Sequence, residues 1–172
     1  VIIGGRIGGM ETPRVLKLRG QEPVIYEQTD TLGGTFIAAS SESYKERLRQ
    51  LLSWYRRQIA ELGIEVKFNT EVKDISSLKE DDIVVATGAK PRILRSVKEK
   101  KKIEATDYLT GTPVGNTVAV IGGGLTGCEI AYELALMGKK PIIVEMKDDL
   151  VSQKGVCLAN SSYLREWFDL NK

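Results

Sequence analysis

The 172-residue sequence contains no histidine and only two cysteines. Without histidine, the chain has no imidazole to act as a general base, to activate a cysteine nucleophile or to bind zinc. Cys128 and Cys157 lie 29 positions apart and form no CxxC pair, which excludes a closely spaced redox pair and leaves no metal-ligand pattern. We expect both cysteines to be free, buried thiols in a reducing, cytoplasmic compartment.

Long apolar runs and a strong charge imbalance are also missing. No run of about 18 apolar residues is present, so no membrane-spanning helix is expected. The 25 basic and 23 acidic residues leave a formal net charge of +2, which gives no reason to expect a nucleic acid as partner. The most basic cluster, residues 98–102, is interpreted as solvated surface. With 42% hydrophobic residues, the chain can still bury a core.

Two segments of the sequence share one plan: a β-branched strand, a glycine-rich turn, a helix, a second strand and an acidic residue. The first segment spans residues 1–27 and the second spans residues 117–145. Their helices are predicted over about 8–18 and 127–137, and each ends before a glycine, Gly20 or Gly138. Strands that alternate with helices of this length indicate an α/β fold, with Rossmann-like, doubly wound parallel sheets and two βαβ units in tandem.

The sequence between these segments predicts a long amphipathic helix and three more strands. The helix is expected over about 42–62, where apolar residues recur every three or four positions. Strands are expected at 64–68 and 71–75, and the apolar run 83–86 is typical of a central parallel strand. We therefore predict an incomplete first domain over 1–112 and the truncated first half of a second domain over 113–172. Because the chain starts inside a strand, we expect it to be part of a longer polypeptide.

The turn of the second segment is a complete GxGxxG motif formed by Gly122, Gly124 and Gly127. The first glycine permits a tight turn, the second lets the backbone approach a pyrophosphate, and the third lets the helix pack closely on the strand. The helix N-terminus adds amide donors and the positive end of the helix dipole. Glu145, 23 positions after Gly122, is placed to accept hydrogen bonds from a ribose and to repel a 2′-phosphate, which favours NADH over NADPH.

The corresponding turn of the first segment is altered at its middle position. Gly4, Gly8 and Gly9 are present, but Arg6 stands where the middle glycine belongs. The Arg6 side chain either fills the space of a pyrophosphate or pairs with a phosphate through its guanidinium, and we expect the steric effect to dominate. Pro13 falls inside the predicted helix and removes a backbone hydrogen bond, which costs about 3 kcal/mol in an ordinary helix interior.

Three further features favour a flavin-type site around the first turn. Glu27 stands 23 positions after Gly4, where an acid can meet a ribose. The run 32–35, Leu-Gly-Gly-Thr, follows the second strand and can expose backbone amides beside a pyrophosphate. Thr87 and Gly88 follow the apolar strand at its carboxyl end, where ligands of open α/β sheets bind.

In this order, these residues resemble the two-dinucleotide-binding-domain flavoproteins, and the resemblance covers nearly the whole chain. The runs 8–15 and 154–160 are most similar to the C-terminal part of NADH:flavin oxidoreductases of the Old Yellow Enzyme-like, 2-enoate and 2,4-dienoyl-CoA reductase group. The resemblance implies an oxidoreductase in which hydride passes from NADH to FAD. Electrons then continue through a 4Fe-4S cluster to FMN, both expected in an N-terminal barrel outside this sequence.

The resemblance also implies which residues bind the cofactors. The FAD site would be lined by Gly4, Gly8, Gly9, Glu27, Gly34, Thr35, Val72, Thr87 and Gly88, with Val72 offering its backbone to the adenine. The NAD(H) site would be lined by Gly122, Gly124, Gly127 and Glu145. No side chain is assigned a catalytic role, because in this class the cofactors supply the redox chemistry.

Two other hypotheses concern the same residues. The first is a non-redox binding or structural protein, in which the altered first site holds an ADP-like ligand or nothing. The second is a dithiol–disulfide reductase of the same superfamily, which fails because the closely spaced cysteine pair is missing. An exposed sheet edge in the truncated second domain also predicts self-association of the chain by strand pairing.

Overall fold

A computed structural model describes residues 1–79, 82–91, 102–152 and 154–171 of the protein. The chain divides into two compact units, Val1–Lys100 (unit 1) and Lys101–Lys172 (unit 2). Most of the basic cluster at 98–102 lies outside the described residues, so its assignment to solvated surface stays a prediction. Within the described ranges, every helix is too short or too polar to cross a membrane.

Unit 1 is built on a four-stranded parallel sheet in the order β3-β2-β1-β4. Its elements in chain order are β1 (Ile2–Ile3), α1 (Ile7–Leu18), β2 (Val24–Tyr26), α2 (Thr35–Ala39), α3 (Glu46–Glu61), β3 (Glu65–Lys67) and β4 (Val84–Val85). Parallel neighbours need crossover connections, and α1 and α3 provide two of them. The α/β fold with parallel strands is thereby confirmed.

The hydrophobic core of unit 1 lies between the sheet and two helices, α1 and α3. Met10 of α1 and Ile25 of β2 are fully buried, and Leu52 and Ile59 reach this cluster from α3. The apolar spacing that predicted a long helix therefore marks the face that packs on the core. The helix begins at Glu46 rather than near 42, since a turn occupies the preceding residues.

The segment between β3 and β4 contains no strand at 71–75, so that prediction was wrong. The Asp74 carboxylate accepts a hydrogen bond from the Ser76 amide (2.9 Å) and caps a 3₁₀ turn over Ile75–Ser77. Aspartate and serine satisfy their own local backbone in this way, and such bonds compete with a strand ladder.

The strand β4 lies at the edge of the described sheet rather than at its centre. It pairs on one side with β1, and Val84 and Val85 are 38% and 62% exposed. The apolar composition of 83–86 suits burial on both faces, but the described residues leave these side chains open. The prediction of a buried central strand therefore does not hold within the described residues.

Pro13 lies inside α1, as the sequence predicted, and the helix continues through it. Because proline has no N–H, the carbonyl of Gly9 loses its helical partner. The Pro13 ring is fully buried, and this apolar burial offsets part of the lost hydrogen bond.

The described residues of unit 2 form a two-stranded parallel sheet and three helices. Its elements are α4 (Ala105–Leu109), β5 (Thr117–Ile121), α5 (Leu125–Leu136), β6 (Lys140–Val144) and α6 (Leu158–Leu170). Cys128, Val151 and Leu164 form the buried cluster between α5, α6 and the loop after β6. Burial alternates along both strands, and the open face includes Ile121 and Ile142, 55% and 54% exposed.

The βαβ segment of unit 1 is repeated in unit 2 at an offset of 118 residues. Adding 118 to the bounds of α1 gives the bounds of α5, and β2 falls in the same way on residues 142–144 of β6. Burial also agrees at equivalent positions: buried Met10 corresponds to buried Cys128, and buried Pro13 corresponds to buried Ala131. The offset therefore allows the two sites to be compared residue by residue.

Candidate functional site

Both glycine-rich turns use their outer glycines in the same way. In the first glycine turn (residues 4–9) and the second (residues 122–127), Gly4 and Gly122 have φ angles of 101° and 112°, which favour glycine. A Cβ on Gly9 would overlap the carbonyl oxygen of Gly4, and a Cβ on Gly127 would overlap that of Gly122. Each helix therefore begins directly against its own turn.

The acid after β6 closes the second glycine turn. Glu145 Oε2 accepts a hydrogen bond from the Gly123 amide (2.6 Å), and Oε1 accepts from the amides of Met146 and Lys147 (2.9 and 3.0 Å). These bonds, that of Gly123 first, stabilise the charged carboxylate and lower the pKa of Glu145. The ionised carboxylate keeps lone-pair capacity for a ribose hydroxyl.

Glu27 occupies the same position in unit 1. Its Oε2 accepts from the Gly5 amide (2.6 Å), and its Oε1 accepts from the amide and the hydroxyl of Thr29 (both 2.8 Å). The bond between the acid and the amide of the turn thus has the same length in both units.

The middle position of the glycine turn distinguishes the two units. Arg6 has φ −77° and ψ −177°, and Gly124 has φ −73° and ψ −178°; each residue is the N-cap of the following helix. This is extended backbone that any residue adopts. The fold therefore does not require glycine at this position. The two turns differ in whether a side chain occupies the space beside the backbone: it does in unit 1 and does not in unit 2.

The Arg6 side chain fills the crevice of unit 1. Its guanidinium donates to Thr35 Oγ1, and a Cβ placed on either Gly34 or Gly88 would come within 2.7 Å of Arg6 atoms. Arg6 therefore lies at the carboxyl edge of the sheet, between the loops that follow β2 and β4, where ligands of such sheets bind. With Arg6 in this position the crevice does not fit the pyrophosphate of FAD, and a fit requires the side chain to move away.

The remaining residues predicted for the first site differ in their placement. A Cβ on Gly4 would lie 2.7 Å from the Ala86 carbonyl oxygen and 3.1 Å from Thr87 Cα, so the turn abuts the end of β4. Gly8 is exposed, and apart from its chain neighbours and its own helix backbone no described atom lies within 4 Å of its Cβ position. Val72 is half-buried in the irregular segment after β3, and its backbone makes no hydrogen bond to another backbone group of the described residues.

Two leucines that sequence reasoning missed cover the glycine turns. Leu32 Cδ2 occupies the space that a Cβ on Gly5 would need, and Leu150 Cδ2 does the same for Gly123. In the sequence, Leu32 is visible only as the first residue of a glycine-rich run. If the offset of 118 residues is extended past Glu27 and Glu145, Leu32 corresponds to Leu150, and the sequence then identifies the two leucines as equivalent.

The two cysteines are both free thiols but differ in their surroundings. Cys128 is buried in α5, its thiol donates to the Gly123 carbonyl (3.4 Å), and burial raises the pKa of Cys128 to about 11. Cys157 is exposed before the first turn of α6, so the prediction that both thiols are buried was wrong for Cys157. Among the described residues, no group of three or more cysteines and acids is arranged to hold a metal ion.

Comparison with known proteins identifies one family over most of the chain. The family model of the pyridine nucleotide-disulphide oxidoreductases matches residues 1–161. The chain is similar to the cinnamate reductase of Clostridium sporogenes, with 36% identity across all of this chain and 26% of that protein. It is also similar to the NADH oxidase of Thermoanaerobacter brockii, with 34% identity across 87% of this chain and 24% of that protein.

A solved structure gives the same result at the level of the fold. The complex of 2-naphthoyl-CoA reductase with 2-naphthoyl-CoA superposes with a TM-score of 0.86 at 28% identity, over 99% of this chain and 26% of that chain. The chain therefore spans about a quarter of the length of the relatives that it matches.

Proposed function

The chain belongs to the pyridine nucleotide-disulphide oxidoreductase family of FAD- and NAD(H)-binding domains, and on that premise we propose that it is the dinucleotide-binding part of an enoate-reductase-like flavoenzyme. Residues 1–112 form the FAD-type domain, and residues 113–172 form the first half of the NAD(H) domain. When bound, NADH and FAD would supply the hydride chemistry, and a 4Fe-4S cluster and FMN, both outside this chain, would carry the electrons onward. The similarity to cinnamate reductase and NADH oxidase supports this proposal.

The observation that most strongly supports nucleotide binding is the second glycine turn with its acid. Gly124 presents no side chain at the start of the 12-residue helix α5, so a pyrophosphate can approach the helix amides. Glu145 is held against the same turn by the Gly123 amide, whose hydrogen bond favours the charged carboxylate and lowers its pKa. A charged acceptor there binds a ribose diol and repels a 2′-phosphate, so NADH is the nicotinamide nucleotide that we propose.

Arg6 favours a second candidate function, a nucleotide-binding scaffold without a working flavin site. Its side chain takes the space between Gly34 and Gly88 and donates to Thr35. The FAD-dependent function needs this side chain to leave the crevice, whereas the scaffold function does not. In the scaffold, unit 2 still binds a nucleotide.

A titration of the purified chain with FAD, ADP and NADH tests the proposal. Calorimetry gives the three affinities, and flavin absorbance shows whether FAD is bound in a protein environment. Micromolar binding of FAD that is bleached by NADH supports the electron-transfer function. Binding of NADH or ADP without FAD supports the scaffold, and failure of both NADH and ADP to bind at millimolar concentration contradicts both functions.

The dinucleotides are the partners that we propose, and self-association is a further prediction about the chain. Among the described residues β5 and β6 pair only with each other, so each strand has one edge without a strand partner, and such an edge can pair with a strand of another chain. Light scattering at increasing protein concentration measures the association. A monodisperse monomer at high concentration would count against it.

A further inference from the structure

An arginine from a neighbouring helix holds the loop after the second strand of unit 1, here called the first acid loop (residues 27–34). Arg56 of α3 donates from Nε and Nη2 to the carbonyl oxygen of Leu32, at 3.0 and 2.6 Å. Its Nη2 also donates to Thr31 Oγ1 at 3.3 Å. The guanidinium therefore contacts two consecutive residues of the loop.

Unit 2 repeats this contact with a different helix. Arg165 of α6 donates from Nε to the carbonyl oxygen of Leu150 at 2.7 Å and from Nη2 to that of Val151 at 3.2 Å, both in the second acid loop (residues 145–152). The same Nη2 lies 3.1 Å from Asp149 Oδ2. The contacted residues 149 and 150 correspond to Thr31 and Leu32 at the offset of 118.

The arginines themselves do not follow the offset of 118. Arg56 comes 24 positions after Leu32, and Arg165 comes 15 positions after Leu150, because α2 delays the start of the long helix in unit 1 and Arg56 lies further along its helix than Arg165 does. The same contact thus arises from two different spacings. The repeat of 118 residues therefore does not account for the contact between the arginine and the loop.

The two acid loops also touch the glycine turns in the same way. The amide of Gly33 donates to the carbonyl oxygen of Gly5, and the amide of Val151 donates to that of Gly123, both at 2.8 Å. The amides of Gly5 and Gly123 in turn donate to the acids of their units, both at 2.6 Å. A continuous series of hydrogen bonds therefore leads from each arginine, through the acid loop, to the glycine turn and the acid.

From this series we infer that Arg56 and Arg165 are positioning residues, which fix the acid loops so that each glycine turn and its acid stay in nucleotide-binding geometry. Neither arginine touches the turn or the acid, so each acts through its loop. Charged guanidinium donors hold carbonyl oxygens more strongly than neutral donors do. The inference rests on the proposed function, because the geometry of the turns matters for binding only if they bind nucleotides.

Amide hydrogen exchange on the full chain tests the positioning role without any ligand. In Arg165→Met, the Val151 and Gly123 amides are expected to exchange at least tenfold faster, because their loop has lost its anchor. The Gly122 amide, which donates to the Val144 carbonyl oxygen within the sheet, should be unchanged. Glu166→Gln, on an exposed neighbour in α6, is the matched control.

The ligand readout is the NADH affinity of the same variants. Arg165→Met should weaken NADH about tenfold while Arg56→Met leaves it unchanged, and Arg165→Lys should recover part of the loss because an ammonium can still reach one carbonyl oxygen. Arg57→Met, next to Arg56 on the same helix, controls for the loss of a surface charge. In the unit 1 series, Arg56→Met should speed exchange at the Gly33 amide.

These readouts separate the positioning role from general stability and from the proposed function. Equal acceleration at Gly122, Gly123 and Val151 in Arg165→Met would show that the arginine merely stabilises unit 2. Unchanged exchange at Val151 would overturn the inference outright. If exchange responds as expected but the wild-type chain binds no NADH, the contact positions the loop and the proposed function is what fails.

Discussion

The two glycine turns share one backbone and differ in the side chain at the middle position. In unit 2 this position is Gly124, which leaves the start of α5 open. In unit 1 it is Arg6, whose side chain crosses to Gly34, Thr35 and Gly88. Because the two residues differ by only a few degrees in φ and ψ, the substitution leaves the path of the chain unchanged.

The difference shows that the glycines of one motif are required for different reasons. The outer pair of each turn is required by the fold, since Gly4 needs a positive φ and Gly9 must pack on its carbonyl. The middle glycine is required only by a ligand that approaches the backbone. Its loss in unit 1 can therefore abolish binding without any effect on folding.

The largest expected effect comes from transferring the unit 1 residue to unit 2. Gly124→Arg should lower NADH affinity at least 100-fold, roughly 3 kcal/mol, because the new side chain occupies the pyrophosphate space. Calorimetric titration with NADH measures the loss. The melting temperature should stay the same, since φ of −73° suits arginine.

Gly124→Ala is the graded control for this substitution. A single methyl group intrudes less, so the loss of NADH affinity should be smaller than for arginine. Equal affinities of the wild-type and Gly124→Arg chains would mean that NADH does not bind at the second glycine turn.

The reverse change should open the first site. Arg6→Gly is expected to raise FAD affinity about tenfold or more, because it frees the crevice between Gly34 and Gly88. Flavin fluorescence quenching and calorimetry measure the gain. A fall in FAD affinity would instead show that the Arg6 guanidinium pairs with the phosphates, and Arg6→Lys, which keeps the charge, would then retain part of the binding.

The sequence predicted the repeated βαβ plan because its signals are local. Glycine turns, helix periodicity and β-branched strands lie within about 30 residues of one another, and both helices were found within two residues of their start. The edge position of β4 could not be predicted. The apolar run 83–86 shows that these side chains suit burial, but it does not show whether another strand pairs with β4. No strand forms at 71–75, although Val72 and Ile75 are typical strand residues, because Asp74 caps a turn there.

Within the candidate site, the alteration at Arg6 was visible in the sequence, but the direction of its side chain was not. Rotamer choice depends on Gly34 and Thr35 at the start of α2 and on Gly88 after β4. The contacts of Arg56 and Arg165 were hidden for a similar reason: long side chains from separate helices reach carbonyl oxygens 24 and 15 positions away. Every residue has a backbone carbonyl oxygen, so the sequence does not show which one accepts a hydrogen bond from a distant side chain.

Pro13 gives a smaller contrast, because unit 2 has Ala131 at the equivalent position. Pro13→Ala should stabilise unit 1 by about 1 kcal/mol, since the regained helical hydrogen bond outweighs the lost burial of the ring and the more flexible unfolded chain. Urea unfolding followed by Trp54 fluorescence, in a Trp167→Phe background, reports on unit 1. Thr12→Ala controls for helix propensity alone, and destabilisation by Pro13→Ala would show that the buried ring dominates.

The smallest expected effect concerns the pH dependence of unit 2. Because the pKa of Glu145 is lowered in the folded chain, its hydrogen bonds stabilise unit 2 above the ordinary carboxyl pKa of 4.5, and this stabilisation is lost as the pH falls through the lowered pKa. The stability difference between wild type and Glu145→Gln should therefore be present at neutral pH and shrink in acid. Urea unfolding followed by Trp167 fluorescence, in a Trp54→Phe background, measures both chains across this range. A difference that grows in acid would mean that the turn holds the neutral form of Glu145 more tightly than the charged form.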